Sequence, residues 1–171
     1  MTLLDAGISC QAIELFELCL KYEIVVSTAE SCTGGLIAAC VTDIAGSSAM
    51  FDRGFVTYSN QAKLEMLGVN SQTLDEFGAV SRQIALEMAA GALKNSNASL
   101  SIAVTGVAGP SGGTPQKPVG LVHIAVNLKG EVQHQECRFG ALTRHEIRSE
   151  TVRRALEMSA EMIRRMHEGG E

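Results

Sequence analysis

Ile24-Val25-Val26-Ser27-Thr28-Ala29-Glu30-Ser31-Cys32-Thr33-Gly34-Gly35-Leu36-Ile37-Ala38-Ala39-Cys40 decides the fold. An apolar run, a polar turn rich in small hydroxyl side chains and a second apolar run read as strand, turn, helix. The strand is expected over 24–28, and the helix after Gly35 runs to about Thr42, before a break that contains Gly46. Open α/β sheets hold ligands at such turns, beyond the carboxyl ends of their strands. Unpaired N–H groups and the positive end of a helix dipole attract anions and developing oxyanions there. The turn reads as a reaction or phosphate site.

Working outward, residues 8–22 place Ala12, Phe16 and Cys19 on one helical face, with Ile13 and Leu20 widening it. A second strand is expected over 53–59. Asn60 then caps a short helix ending at Gly68, with Lys63 in its first turn. Ser81 caps a longer helix whose stripe is Ile84, Met88 and Ala92, and 100–105 is a third strand. The stretch 106–119 holds all three prolines and Gly106, Gly109, Gly112 and Gly113, which forbids helix and sheet alike. Residues 119–127 and 131–139 read as a hairpin turning at Lys129-Gly130, the second strand polar enough for an edge. The last helix, 143–167, buries Ile147, Ala155, Met158, Met162 and Met166. It exposes Glu150, Arg154, Glu157, Glu161 and Arg165, with Glu150 pairing Arg154. Helices before, between and after strands give an α/β fold: a single three-layer α/β/α domain over 1–171 with a mixed, mostly parallel sheet.

The 171 residues suffice for one domain with a real core. With 46 % hydrophobic and 19 % charged residues, no run of ~18 apolar residues and no signal segment, neither membrane nor secretion is expected, and the chain reads as cytoplasmic. Five cysteines without a Cys-x-x-Cys pair read as reduced thiols, and four scattered histidines offer no metal site. A net charge of −5, 4 % aromatics and no tryptophan argue against a nucleic-acid surface but leave room for a small anionic ligand.

Ser31 reads either as a helix-capping serine or as a nucleophile whose oxyanion is held by the N–H groups of Cys32, Thr33, Gly34 and Gly35, with Glu30 beside them in the turn. Cys32 competes as the stronger nucleophile, although no histidine lies near it in sequence. Lys63 in a first helical turn opposes the macrodipole; if also buried, it favours the neutral amine that a Ser-Lys dyad requires, and otherwise it is a solvated lysine. Tyr58 and Ser48 lie near loop junctions, and Thr105 ends a strand before the glycine loop. Gly106 and Gly109 let backbone amides approach a ligand. Neither a Walker loop nor Gly-x-Gly-x-x-Gly is present. Arg148 either reaches a phosphate or faces solvent.

Thr28 to Gly35, Gly46-Ser47-Ser48, Gly54-Phe55-Val56-Thr57-Tyr58-Ser59-Asn60 with Ala62-Lys63, Gly78-Ala79-Val80-Ser81, and Thr105-Gly106-Val107-Ala108-Gly109-Pro110 with Lys117-Pro118-Val119-Gly120 together resemble the CinA carboxy-terminal domain family. Its characterised members are nicotinamide-nucleotide amidohydrolases. The resemblance implies hydrolysis of nicotinamide mononucleotide to nicotinic acid mononucleotide and ammonia, in pyridine nucleotide recycling, without metal or organic cofactor and in a homo-oligomer. It implies Ser31 as nucleophile and Lys63 as its base. Tyr58, Ser48 and Thr105 would orient the dyad, amide or oxyanion, while backbone amides and Arg148 would hold the phosphate. Longer members carry an N-terminal domain linked to pyrophosphatase activity, for which this chain has no room. The competing reading is a non-catalytic nucleotide-binding or competence-related module; a thiol hydrolase using Cys32 is a third.

Overall fold

The computed structural model describes residues 6–169. The apolar run at 24–26 leads into strand β1, Val26–Glu30, two residues later than its hydrophobicity suggests. Ladder position, not polarity, sets the strand: β1 pairs in parallel with β2, Phe51–Val56, and with β3, Leu100–Gly106. All five β1 residues are buried. Polar members are admitted because they find partners; Ser27 Oγ, for one, donates to the Ala92 carbonyl at 3.5 Å.

β4, Leu121–Leu128, runs antiparallel to β3 and to β5, Glu131–Arg138, giving the order β2-β1-β3-β4-β5. Four strands therefore share one direction and β4 opposes them, which is the mixed, mostly parallel sheet expected. The hairpin turns at Lys129 and Gly130, both with positive φ (53° and 98°), the backbone of a two-residue turn that matches strand twist.

Helices cover both faces. On one lie α1, Ala6–Lys21, α2, Leu36–Thr42, and α6, Arg144–Glu168, packed on Ile102, Val104, Ile124 and Val126. On the other lie α3, Asn60–Leu67, α4, Ser71–Phe77, and α5, Arg82–Lys94, packed on Ala29, Ala103 and Ala125. Alternation along each strand sends branched residues to the first face and small ones to the second, so α5 lies close enough for Ser101 Oγ to bond the Ala89 carbonyl at 2.7 Å.

Several expected details are corrected. The buried stripe of α1 is Ile8, Ala12, Leu15 and Cys19, whereas Ile13 and Leu20 are nearly half exposed. β2 starts and ends earlier than 53–59, and the cap of α3 is Ser59, whose Oγ accepts the Ala62 N–H at 3.0 Å, not Asn60. α4 was not foreseen, because it buries only Leu74 and so lacks an apolar stripe; its signal is the capping Asn70. On α6, Met166 is exposed and Glu150 pairs with Arg153 at 3.3 Å. Arg154 instead binds Gln135, Glu157 and Glu161.

No described helix is long and apolar enough to cross a membrane, and no described group of three His, Cys, Asp or Glu is placed to hold a metal.

α5 meets α3 through Gly91: a Cβ there would lie 2.0 Å from the Leu67 carbonyl oxygen, a backbone atom that cannot swing aside. Gly91→Ala is therefore expected to lower the unfolding free energy by about 1–3 kcal/mol, despite alanine's better helix propensity, as read by urea denaturation. A variant as stable as the parent would contradict this packing.

Candidate active site

Ser31 follows β1 directly, and its N–H donates to the Val104 carbonyl of β3 at 3.0 Å, so the residue is tied to the sheet. Its side chain points to the α3/α5 face. There Lys63 Nζ, on the first turn of α3, lies 3.1 Å from Ser31 Oγ and donates to the Thr57 carbonyl at 2.8 Å. Ser59 sets this placement by fixing where α3 begins, and Gly68, in the left-handed conformation, closes the helix onto Leu64 and Lys63 carbonyls.

Lys63 is 1 % exposed, and no carboxylate bonds it among the described residues. Burial holds its pKa below the ordinary 10.5, with the Cys32 thiol acting in the opposite direction. In the neutral form the nitrogen accepts the Ser31 hydroxyl proton while still donating to Thr57. That is the arrangement of a nucleophile and its base.

The dyad opens onto a cleft of about 310 Å³ walled by Tyr58, Thr105, the loop Gly106–Gly109 and Arg144. Thr105 is buried, its Oγ1 donating to the Ala79 carbonyl at 2.8 Å, so its oxygen retains only acceptor capacity toward the cleft. Tyr58 is exposed and its hydroxyl accepts from Arg144 Nη2 at 2.8 Å, while Arg144 Nη1 donates to the Gly109 carbonyl at 2.8 Å. Gly106 and Gly109 do line the cleft, but packing alone demands them. Added Cβ atoms would stand 2.6 Å from Val122 Cγ2 and 2.5 Å from Val119 Cγ1.

Other expected residues lie elsewhere. Glu30 is fully buried behind the turn and is not part of the cleft lining. Its carboxylate accepts the Thr33 hydroxyl (2.6 Å) and the N–H groups of Gly35 (3.1 Å), Ile37 (3.0 Å) and Ala38 (2.8 Å). It therefore caps α2, whose cap residue Gly35 has no side chain for that role. Ser31 is not the helix cap. Thr33, Gly34 and Gly35 are likewise outside the cleft lining. The N–H of Gly34 is spent on the Ser31 carbonyl (3.1 Å) and that of Gly35 on Glu30, so neither is free for an oxyanion. The N–H groups of Cys32, next to Ser31 and in the cleft lining, and of Thr33, outside it, have no bond to another described residue. Cys32 lines the cleft, but burial pushes its thiol up to about 12, which denies it a thiolate near neutral pH.

Ser48 sits on a single 3₁₀ turn, Ser47–Ala49, that precedes β2. Because β1 and β2 are parallel, that turn is at the opposite end of the sheet from Ser31, and Ser48 is not brought to the cleft. Arg148 does not line it either; half-buried, its Nη2 donates to the Thr33 carbonyl at 2.8 Å. The cleft's arginine is Arg144, one helical turn earlier. Its signal was the Thr143–Glu146 capping box, which starts α6 at Arg144 and aims its first turn at the loop.

The sequence profile of the CinA C-terminal domain matches residues 11–163. The chain belongs to that family. A CinA-like protein of Kosmotoga olearia is 41 % identical over 153 residues, 88 % of this chain and 37 % of its own length. The nicotinamide-nucleotide amidohydrolase PncC of Escherichia coli strain K12 is 54 % identical over 117 residues, covering 67 % of this chain and 71 % of PncC. The crystal structure of competence/damage inducible protein CihA from Agrobacterium tumefaciens superposes with a TM-score of 0.90 at 57 % identity, over 92 % of this chain and 96 % of that one. The chain spans about a third of the length of the larger CinA-like relatives it matches.

The carboxylate of Glu30 gathers four donors and, as an ionised group, offers only acceptors. Glu30→Gln turns an N–H₂ group toward at least one of those donors and is expected to cost about 2–4 kcal/mol in urea unfolding at pH 7. Unchanged stability would refute the capping role.

Proposed function

We propose that this CinA-family protein is a Ser-Lys amidohydrolase that converts nicotinamide mononucleotide and water to nicotinic acid mononucleotide and ammonia, a step that recovers pyridine nucleotides. The observation that carries the reading is the 3.1 Å approach of a buried lysine nitrogen to Ser31 Oγ at the mouth of a cleft. The PncC relative at 54 % identity supports the choice of substrate.

Neutral Lys63 takes the hydroxyl proton as Ser31 Oγ attacks the carboxamide carbon. The oxyanion that forms faces the Cys32 N–H. Lys63 then returns the proton to the amide nitrogen, the C–N bond breaks and ammonia leaves, with the acyl group esterified to Ser31. Water enters, gives a proton to Lys63 and attacks the ester; collapse restores the Ser31 hydroxyl from the same lysine. One base serves both halves of the cycle.

The described lining of the cleft contains no carboxylate side chain, and Arg144 is its one exposed cation. Two of the five N–H donors of that guanidinium are committed to Gly109 and Tyr58, which leaves others for a substrate phosphate. An anionic ligand is favoured locally although the protein carries a net charge of −5.

Pure protein incubated with nicotinamide mononucleotide should release ammonia; no release above a Ser31→Ala control ends the proposal. Lys63→Arg should lose about 100-fold or more, because a guanidinium cannot give up its proton. Since only the neutral amine is a base, activity should rise with pH along an acid limb whose midpoint lies below 10.5, the direction in which burial moves Lys63. Arg144→Gln should raise KM about 10-fold or more while kcat stays within a few-fold; an unchanged KM removes Arg144 from phosphate binding.

A further inference from the structure

We infer that Arg148 is a positioning residue for this site, acting through two successive peptide groups to strengthen and aim the Cys32 N–H as the donor to the oxyanion. The inference rests on Ser31 being the nucleophile. Its path is continuous in the structure. Arg148 Nη2 donates to the Thr33 carbonyl at 2.8 Å. The other end of that peptide group is the Gly34 N–H, which donates to the Ser31 carbonyl at 3.1 Å. The other end of the Ser31 peptide group is the Cys32 N–H, which among the described residues meets no partner beyond its own thiol and lies beside the nucleophile. A cation at the head of such a chain polarises each peptide in turn, and the gain appears at the terminal donor.

Two features set Arg148 apart from an arginine that merely packs. Its Nε is buried with no hydrogen-bond partner, and no carboxylate pairs with its guanidinium among the described residues. A half-buried cation without a counter-ion is costly, and the hydrogen bond it does make goes to the turn that carries Ser31. It also sits on the residue where a counterweight is needed. Thr33 gives its hydroxyl to the buried carboxylate of Glu30, a negative charge close to where the oxyanion develops, while its carbonyl receives Arg148. The Cys32 thiol feels both charges, and in opposite senses. The turn itself is shaped for this path by Gly34, whose φ of +60° is the left-handed conformation that glycine takes freely.

Arg144 and Arg148 lie one helical turn apart on α6 and are assigned different tasks. The first meets the ligand; the second never touches it. Arg148→Gln should therefore lower kcat about 10- to 100-fold and leave KM for nicotinamide mononucleotide within about two-fold, the reverse of the split expected at Arg144. Arg148→Lys, which keeps the charge, should restore part of the loss. A second readout needs no turnover. In ¹H–¹⁵N spectra of the ligand-free protein, the Cys32 amide proton should move upfield in Arg148→Gln and less so in Arg148→Lys, with the amides of β3 and β4 unmoved as evidence that the fold is intact. Should Arg148→Gln fail to fold, Arg148→Lys carries both measurements.

Unchanged kcat, a loss confined to KM, or a kcat loss with the Cys32 amide unmoved would each overturn the inference. If the parent protein releases no ammonia, the amidohydrolase reading fails by itself. The Cys32 amide shift then still decides whether Arg148 acts through the turn.

Discussion

A lysine nitrogen taken out of water and held between one hydroxyl and one carbonyl is the constraint around which this molecule is arranged. A charged amine at 1 % exposure, with no counter-ion bonded to it among the described residues, is unfavourable, and burial shifts it toward the neutral form. The neutral form is also the one able to take a proton from the Ser31 hydroxyl 3.1 Å away. The neighbouring geometry follows from it. Ser59 must start α3 at the right residue, Thr57 must leave the β2 ladder with its carbonyl turned inward, and α5 must come close enough, through Gly91, to keep α3 in place.

The second organising interaction is Glu30. A short helix begins immediately after the nucleophile turn, and its first N–H groups would ordinarily be the place to look for an anion site. Here an internal carboxylate already occupies them. The amides of this turn that bond no other described residue lie next to Ser31, Cys32 among them, and α6 extends a cation to the Thr33 carbonyl. Helix α6 thus meets this region twice, with Arg144 lining the cleft and gripping the glycine loop and Arg148 holding the Ser31 turn from outside the cleft.

Much of this was legible in the residues. Apolar runs and stripes, the cap at Ser81 and the Lys129-Gly130 turn give the elements and their type, and the β1–α2 turn, read as a ligand site, does bring Ser31 and Cys32 to a cleft. The pairing of Ser31 with Lys63 came from family resemblance, since thirty-two residues of separation leave no local trace of a contact. Polarity misled where tertiary contacts overrode it. Glu30 reads as a ligand contact because it lies in the polar turn beside Ser31, yet four internal donors converge on it. Ser48 shares a motif with the site but precedes a strand parallel to β1, which puts it at the wrong end of the sheet. Arg144 and Arg148 share one face of α6 and look alike in sequence. Only the loop that packs against the first and the turn that packs against the second tell them apart.

Whether Lys63 can serve Ser31 as a base is decided by the protonation state of one amine. A titration of the Lys63 side chain by heteronuclear NMR, following its Cε and Nζ signals in the folded, ligand-free protein, reads that state directly. A midpoint below 10.5 is the result required here, with the signal displaced in Ser31→Ala because the hydrogen-bond partner is gone. A midpoint at or above 10.5, insensitive to Ser31, would show an ordinary ammonium at this position and contradict its role as a base.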